Sequence, residues 1–166
     1  MKYLSAWGSF YWVVPIVVAS IVAVVYLENK RYKKPALWLM LGIWSMALIY
    51  LLFVYRLPGR GQDTGFTFDL FHIYRKATGT DWEAKQAVRQ ILFNILLYAP
   101  LGCVLISLTE RVWITVVIGI GISVITEILQ GLTGLGWADI DDVLNNAIGL
   151  LIGILIFRTL LKRLHR

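Results

Sequence analysis

The sequence is poor in charge and contains a single cysteine. Only 16% of its 166 residues are charged, whereas 58% are hydrophobic and the mean hydropathy is +0.71. This balance lies outside the range of ordinary soluble domains. Because Cys103 is the only cysteine, an intrachain disulfide is excluded. Because it lies within an apolar run, we predict that it is a small packing residue.

Metal and nucleotide motifs are also missing. The two histidines, His72 and His165, have no Cys or His partner at metal-ligand spacing, and there is no glycine-rich phosphate loop. We therefore predict neither a transition-metal site nor nucleotide chemistry. The net charge of +6 comes from small basic groups without a continuous patch, so we expect no nucleic-acid partner.

Long apolar runs dominate what remains. Five of them are close to the roughly 20 residues that a bilayer core requires. They are Ser9 to Leu27, Ala36 to Tyr55, Ile91 to Leu108, Val112 to about Leu132, and about Val143 to Leu161. The first is too long for the core of a signal peptide and is expected to remain as an anchor. The pattern predicts an all-α membrane protein, a bundle of about five transmembrane helices forming one integral membrane domain over residues 1–166.

The only long connection runs from Arg56 to Gln90 and carries glycines and charges of both signs. Its stretch from Phe66 to Lys76 mixes aromatic and charged residues, which favours a short interfacial helix.

The basic residues predict the orientation. If five spans alternate, nine of the 16 basic residues fall on one side: Lys30, Arg31, Lys33, Lys34, Arg111, Arg158, Lys162, Arg163 and Arg166. Positive residues in short loops favour the cytoplasm. We therefore expect a multi-pass protein of the bacterial cytoplasmic membrane, with its N-terminus and long connection outside and its C-terminus inside.

Five polar residues interrupt the last three spans: Asn94, Glu127, Gln130, Asp142 and Asn146. Each would cost several kcal/mol if left unpaired in hydrocarbon. Alternation places the start of span three, the end of span four and the start of span five on the same side. These side chains are therefore expected to share one ligand-binding site near the extracytoplasmic boundary. Asp139 or Asp141, after the intervening glycine-rich turn, is expected to cap the fifth helix.

Other small or reactive residues are interpreted as structural. Gly149 with Gly153, and Gly119 with Gly121, are expected to serve close helix packing. Ser107 and Ser123 are expected to lie apart from the polar residues.

The ordered motifs Asn94-Ile-Leu-Leu-Tyr-Ala-Pro100-Leu-Gly102, Glu127-Ile-Leu-Gln130 and Asp139-Ile-Asp-Asp142-Val-Leu-Asn-Asn146-Ala-Ile-Gly149 resemble those of the VanZ-like family. They are concentrated in residues 91–156. The resemblance implies a bacterial cell-envelope protein contributing to resistance to glycopeptide antibiotics such as teicoplanin. Many members carry an arginine shortly before the first aspartate. None lies between Gln130 and Asp139 here, which leaves Arg89 or Arg60 as a replacement.

Three functional hypotheses follow. In the first, the polar residues, with Asp139, bind a lipid headgroup, a lipid-linked cell-wall precursor or a glycolipopeptide antibiotic. In the second, Glu127 and Asp142 are catalytic, a general acid/base pair of a membrane enzyme, with no cofactor or with Mg²⁺ or Ca²⁺ held by oxygen ligands. In the third, the protein is a non-catalytic partner or transporter subunit that docks through its long connection. Oligomeric state is not predicted.

Overall fold

The described part of the chain folds into five long helices, a short helix and two short strands. A computed structural model describes residues 4–28, 30–52, 65–134 and 137–164. The elements in chain order are α1 (Leu4–Leu27), α2 (Lys33–Leu52), β1 (Gly65–Thr67), α3 (His72–Ala77), α4 (Trp82–Thr109), α5 (Val112–Thr133), β2 (Trp137–Asp139) and α6 (Ile140–Leu164).

The five long helices correspond to the five predicted spans, which confirms the all-α class. Within the described ranges, α4, α5 and α6 are long and apolar enough to cross a membrane, and α1 contributes a shorter apolar stretch, Val13–Leu27. The exposed side chains of α1 and α2 include Val18, Val22 and Leu39, which suit a lipid-facing surface.

Helix α4 occupies the centre of the bundle. It contacts each of the other helices, and its contact with α6 is the most extensive. About two-thirds (67%) of its apolar stretch is buried, compared with 22% for α5. The indole N–H of Trp44 on α2 donates a hydrogen bond to the Leu97 carbonyl of α4 at 2.8 Å.

Glycines allow the backbones of α4 and α6 to touch. A Cβ added to Gly149 would lie 2.3 Å from the Ile95 carbonyl oxygen, and one added to Gly153 would lie 1.9 Å from that of Ala99. Cys103, fully buried, donates from Sγ to the Gly153 carbonyl. The packing roles predicted for these three residues are confirmed.

The predicted role in close helix packing holds for only one of the two glycines of α5. A Cβ on Gly119 would collide with the Leu150 side chain, whereas one on Gly121 would meet nothing within 4 Å. Residues two apart in a helix project to different sides, so both could not face the same neighbour. The packing role predicted for Gly121 is wrong.

The connection before α4 is more ordered than predicted. Helix α4 begins at Trp82, nine residues before the predicted span, because Asp81 caps it by accepting a hydrogen bond from the Ala84 N–H at 2.8 Å. A short helix, α3, forms within the stretch where a short interfacial helix was predicted. The unexpected feature is a parallel pairing of β1 with β2, which joins the connection to the turn between α5 and α6.

Candidate functional site

The start of α4, the end of α5 and the start of α6 meet at one end of the bundle. Gln90 of α4 donates from Nε2 to both carboxylate oxygens of Asp142 on α6, at 2.9 and 3.0 Å. Asn146, one turn further along α6, donates to the Ser123 hydroxyl of α5 at 2.9 Å. The same-end arrangement expected from alternating spans is therefore present.

The two polar residues of α5 are buried at this end. Glu127 is 6% exposed, and its Oε2 accepts a hydrogen bond from the Asp139 backbone N–H at 3.0 Å. Gln130 is 1% exposed. Glu127 therefore holds the turn between α5 and α6 against the last turns of α5.

Asn94 lies in the middle of a polar row on α4. Gln90, Asn94 and Tyr98 are spaced four residues apart and so share one face of the helix. Gln90 reaches α6, and the Tyr98 hydroxyl lies near Ser123 and Thr126 of α5 without the geometry of a hydrogen bond. The row therefore faces the junction of α5 and α6.

Several buried polar atoms at this end make no hydrogen bond. Among the described residues they are Asn94 Nδ2, Tyr98 OH, Asn145 Nδ2 and Asn146 Oδ1. All four side chains are at most 7% exposed. Because a buried polar group without a partner costs about 1–3 kcal/mol, these donors and acceptors are available to a bound polar group or water.

Ser123 accepts the hydrogen bond of Asn146 and so belongs to this group of buried polar side chains. The prediction that it lies apart is wrong. Ser123 precedes Glu127 by four residues and therefore shares its helix face, a spacing that could have revealed it. Gln90 and Tyr98 could have been found from their spacing with Asn94 in the same way. Ser107 does lie apart, since its hydroxyl donates to Glu28 at 2.6 Å near the far end of α4.

The aspartates before and within α6 anchor the connection. Asp139 accepts from the Asp141 N–H at 2.9 Å and so caps α6, as predicted. Asp141, which is fully buried, accepts from the backbone N–H groups of Phe71 and Ile73 at 2.7 and 3.0 Å. Phe71 precedes α3 in a left-handed conformation (φ 66°) and gives it no side-chain cap. Asp141 therefore caps α3 from seventy residues away.

His72 lies between these two carboxylates. Its Nδ1 is 3.1 Å from Asp141 Oδ2, and its Nε2 is 3.4 Å from Asp139 Oδ2. Burial raises the pKa of Asp139 above its ordinary value of 3.8, and the nearby His72 opposes that rise. Sequence spacing missed these partners of His72 because the β1–β2 pairing brings them from the far side of α4 and α5. The other histidine, His165, and the candidate Arg60 lie outside the described residues.

An apolar groove of about 530 Å³ lies between α3 and α6. Its lining includes Phe71 and Tyr74 of α3 and Leu144 and Ile148 of α6. The Tyr74 hydroxyl donates to Asn145, which places the polar end of that side chain at the cluster. Burial is also the main reason that the pKa of Tyr74 is raised above 10.0, so the phenol remains protonated.

The polar cluster is thus assembled from the sequence motifs described above: Asn94, Glu127, Gln130, Asp139, Asp142 and Asn146, joined by Gln90, Tyr98 and Ser123. No curated protein and no solved structure matches the chain. The model of the VanZ/LLP1 family matches residues 37–162, which covers all of α4 and α5 and most of α2 and α6. The chain belongs to the VanZ/LLP1 family.

Proposed function

We propose that the polar cluster binds the headgroup of a lipid-linked ligand at the extracytoplasmic face of the bacterial membrane, and that the protein thereby contributes to resistance to glycopeptides such as teicoplanin. The observation that carries the proposal is the set of unpaired buried atoms, Asn94 Nδ2, Tyr98 OH and Asn146 Oδ1. They offer donors and an acceptor whose desolvation cost a ligand would recover. If these residues served only to hold the helices together through interhelical hydrogen bonds, their polar atoms would be expected to pair with one another.

The apolar groove between α3 and α6 supports a ligand with a lipid tail. It is lined by Leu144 and Ile148 of α6, the helix that also carries Asp142 and Asn146. Leu144 and Ile148 project from a different side of α6 than Asp142 and Asn146, and the contact of Tyr74 with Asn145 links the two sides. A headgroup in the cluster and an acyl or prenyl chain in the groove would use two sides of this one helix. The ligand classes consistent with this arrangement are a membrane lipid, a lipid-linked cell-wall precursor and a glycolipopeptide.

The excess of basic residues in the short loops supports the proposed orientation. Lys30 and Arg31 lie between α1 and α2, Lys33 and Lys34 begin α2, and the end of α6 carries Lys162 and Arg163. With this side in the cytoplasm, the cluster faces outward, where glycopeptides act.

Glu127→Gln tests the role of the carboxylate in a susceptible host, with teicoplanin susceptibility as the readout. The matched control is Glu83→Gln, the same change at an exposed position in the first turn of α4. We expect wild type and Glu83→Gln to protect and Glu127→Gln to lose protection at equal membrane abundance. Equal protection by Glu127→Gln would contradict the carboxylate's role, and no protection by wild type would contradict the resistance function.

The alternative proposal is that the protein is a membrane enzyme. Glu127 and Asp142 would then act as a general acid/base pair. The Ser123 hydroxyl within the cluster adds a potential nucleophile to it. The assay is incubation of purified protein with lipid-linked cell-wall substrates, with and without Mg²⁺ or Ca²⁺. An unchanged substrate would count against catalysis while leaving binding intact.

A further inference from the structure

We infer that His72, Asp139 and Asp141 form a binding site for a divalent metal ion of the Mn²⁺ or Zn²⁺ type. Each residue offers one ligand atom, and these atoms lie within 4.8 Å of one another. Ligands held at about 2.1 Å from a single ion lie about 3–4 Å apart, so a small contraction would complete the site. Asp139 also belongs to the polar cluster, but His72, Asp139 and Asp141 contribute none of the unpaired atoms that carry the proposed function.

One of the two imidazole contacts is too long for a good hydrogen bond. His72 Nδ1 lies 3.1 Å from Asp141 Oδ2, within the 2.7–3.2 Å of a good N–H···O hydrogen bond, whereas Nε2 faces Asp139 Oδ2 at 3.4 Å, beyond that range. An ion bound to an imidazole nitrogen and to one oxygen of each carboxylate would contact all three side chains directly. Imidazole is a ligand of Zn²⁺ and other transition metals, whereas Mg²⁺ and Ca²⁺ prefer oxygen. The mixed set therefore points to a different class of cation from the Mg²⁺ or Ca²⁺ considered for oxygen ligands alone.

Charge supports the same inference. Two buried carboxyl groups face one imidazole, and with both ionised the three residues carry a net negative charge even when the imidazole is protonated. Burying an incompletely compensated negative charge is costly, and a divalent cation would neutralise it. His72 is the most exposed of the three side chains, at 17%, and provides the side from which an ion can enter.

The site is also held in place by the fold. Asp139 is fixed by the β1–β2 pairing and by its cap on α6, and Asp141 by the two backbone N–H groups at the start of α3. His72 is the first residue of α3. Three protein ligands leave further coordination positions for water or an anionic oxygen of a ligand.

Metal binding by the purified full-length protein tests the inference. After chelator treatment and removal of the chelator, Mn²⁺ is titrated and followed by electron paramagnetic resonance, with Zn²⁺ as competitor. We expect one saturable ion per chain, with affinity at least about tenfold weaker in His72→Ala and Asp139→Asn and unchanged in Glu83→Gln. Circular dichroism and size-exclusion chromatography confirm that each variant folds.

A measurement on the wild type alone keeps the test decisive if the variants misfold. Spin-echo modulation from an imidazole nitrogen on bound Mn²⁺ is expected, because His72 is the inferred nitrogen ligand. Absence of saturable binding, binding without a nitrogen signal, or equal affinity in folded His72→Ala would each overturn the inference and leave a purely structural ion pair. Glycopeptide protection lost in Glu127→Gln with metal binding retained would separate the two proposals.

Discussion

At the residue scale, the glycines of α6 determine how closely α4 can approach. Gly153→Ala would place a Cβ 1.9 Å from the Ala99 carbonyl oxygen, so the two backbones would have to separate. We expect a loss of about 1–3 kcal/mol in the free energy of unfolding. Gly121→Ala is the matched control, since its Cβ would meet nothing within 4 Å and alanine favours helix. Thermal unfolding in detergent micelles measures both, and an equal melting temperature for the two variants would contradict the close contact.

Replacing either of two asparagines of the polar cluster with leucine should have different effects on the stability of the protein. Asn94→Leu removes a buried donor that has no partner, so stability should be unchanged or higher while teicoplanin protection falls. Asn146→Leu removes the donor to Ser123 and should cost about 1–3 kcal/mol. Thermal unfolding in micelles separates the two effects. A similar loss of stability in both would indicate that Asn94 is a packing residue.

At the element scale, α3 depends on a distant cap. Asp141→Ala removes the acceptor of the Phe71 and Ile73 N–H groups, and each hydrogen bond to a charged acceptor contributes about 1.5–3 kcal/mol. Hydrogen–deuterium exchange should therefore accelerate over α3 while α4 stays protected. Asp69→Asn is the control, because this exposed carboxylate pairs only at the surface with Arg75. Unchanged exchange in Asp141→Ala would show that the capping contact does not hold α3.

The helices could be predicted from sequence, whereas the connection could not. Apolar runs of about 20 residues fix the number of long helices, and alternation then brings Glu127, Asp142 and Asn146 to one end. The pairing of β1 with β2 spans about seventy residues and involves only three residues per strand, so neither length nor alternation reveals it. His72 joins Asp139 and Asp141 only through that pairing. The four-residue spacing of Ser123 from Glu127, by contrast, was visible in the sequence and would have been sufficient to place Ser123 on the same helix face.

At the scale of the whole molecule, burial is concentrated around α4. This helix carries one wall of the polar cluster and the close backbone contacts with α6 along its length. The cluster therefore lies at the end of the most tightly packed helix pair, which fixes the relative positions of Asn94 and Asn146. A site placed on rigid elements can hold unpaired polar atoms in position for a ligand.

The orientation of the molecule decides whether the cluster can meet an extracellular antibiotic. The only native cysteine, Cys103, is buried and can be replaced by serine, which retains a donor for the Gly153 carbonyl. In this background, Thr80→Cys reports on the exposed connection and Arg31→Cys on the exposed loop between α1 and α2. In intact cells a membrane-impermeant maleimide should label Thr80→Cys alone, and after permeabilisation it should label both. The reverse pattern would place the cluster in the cytoplasm, where it could not bind a ligand at the outer leaflet, and would refute the proposed protection from outside.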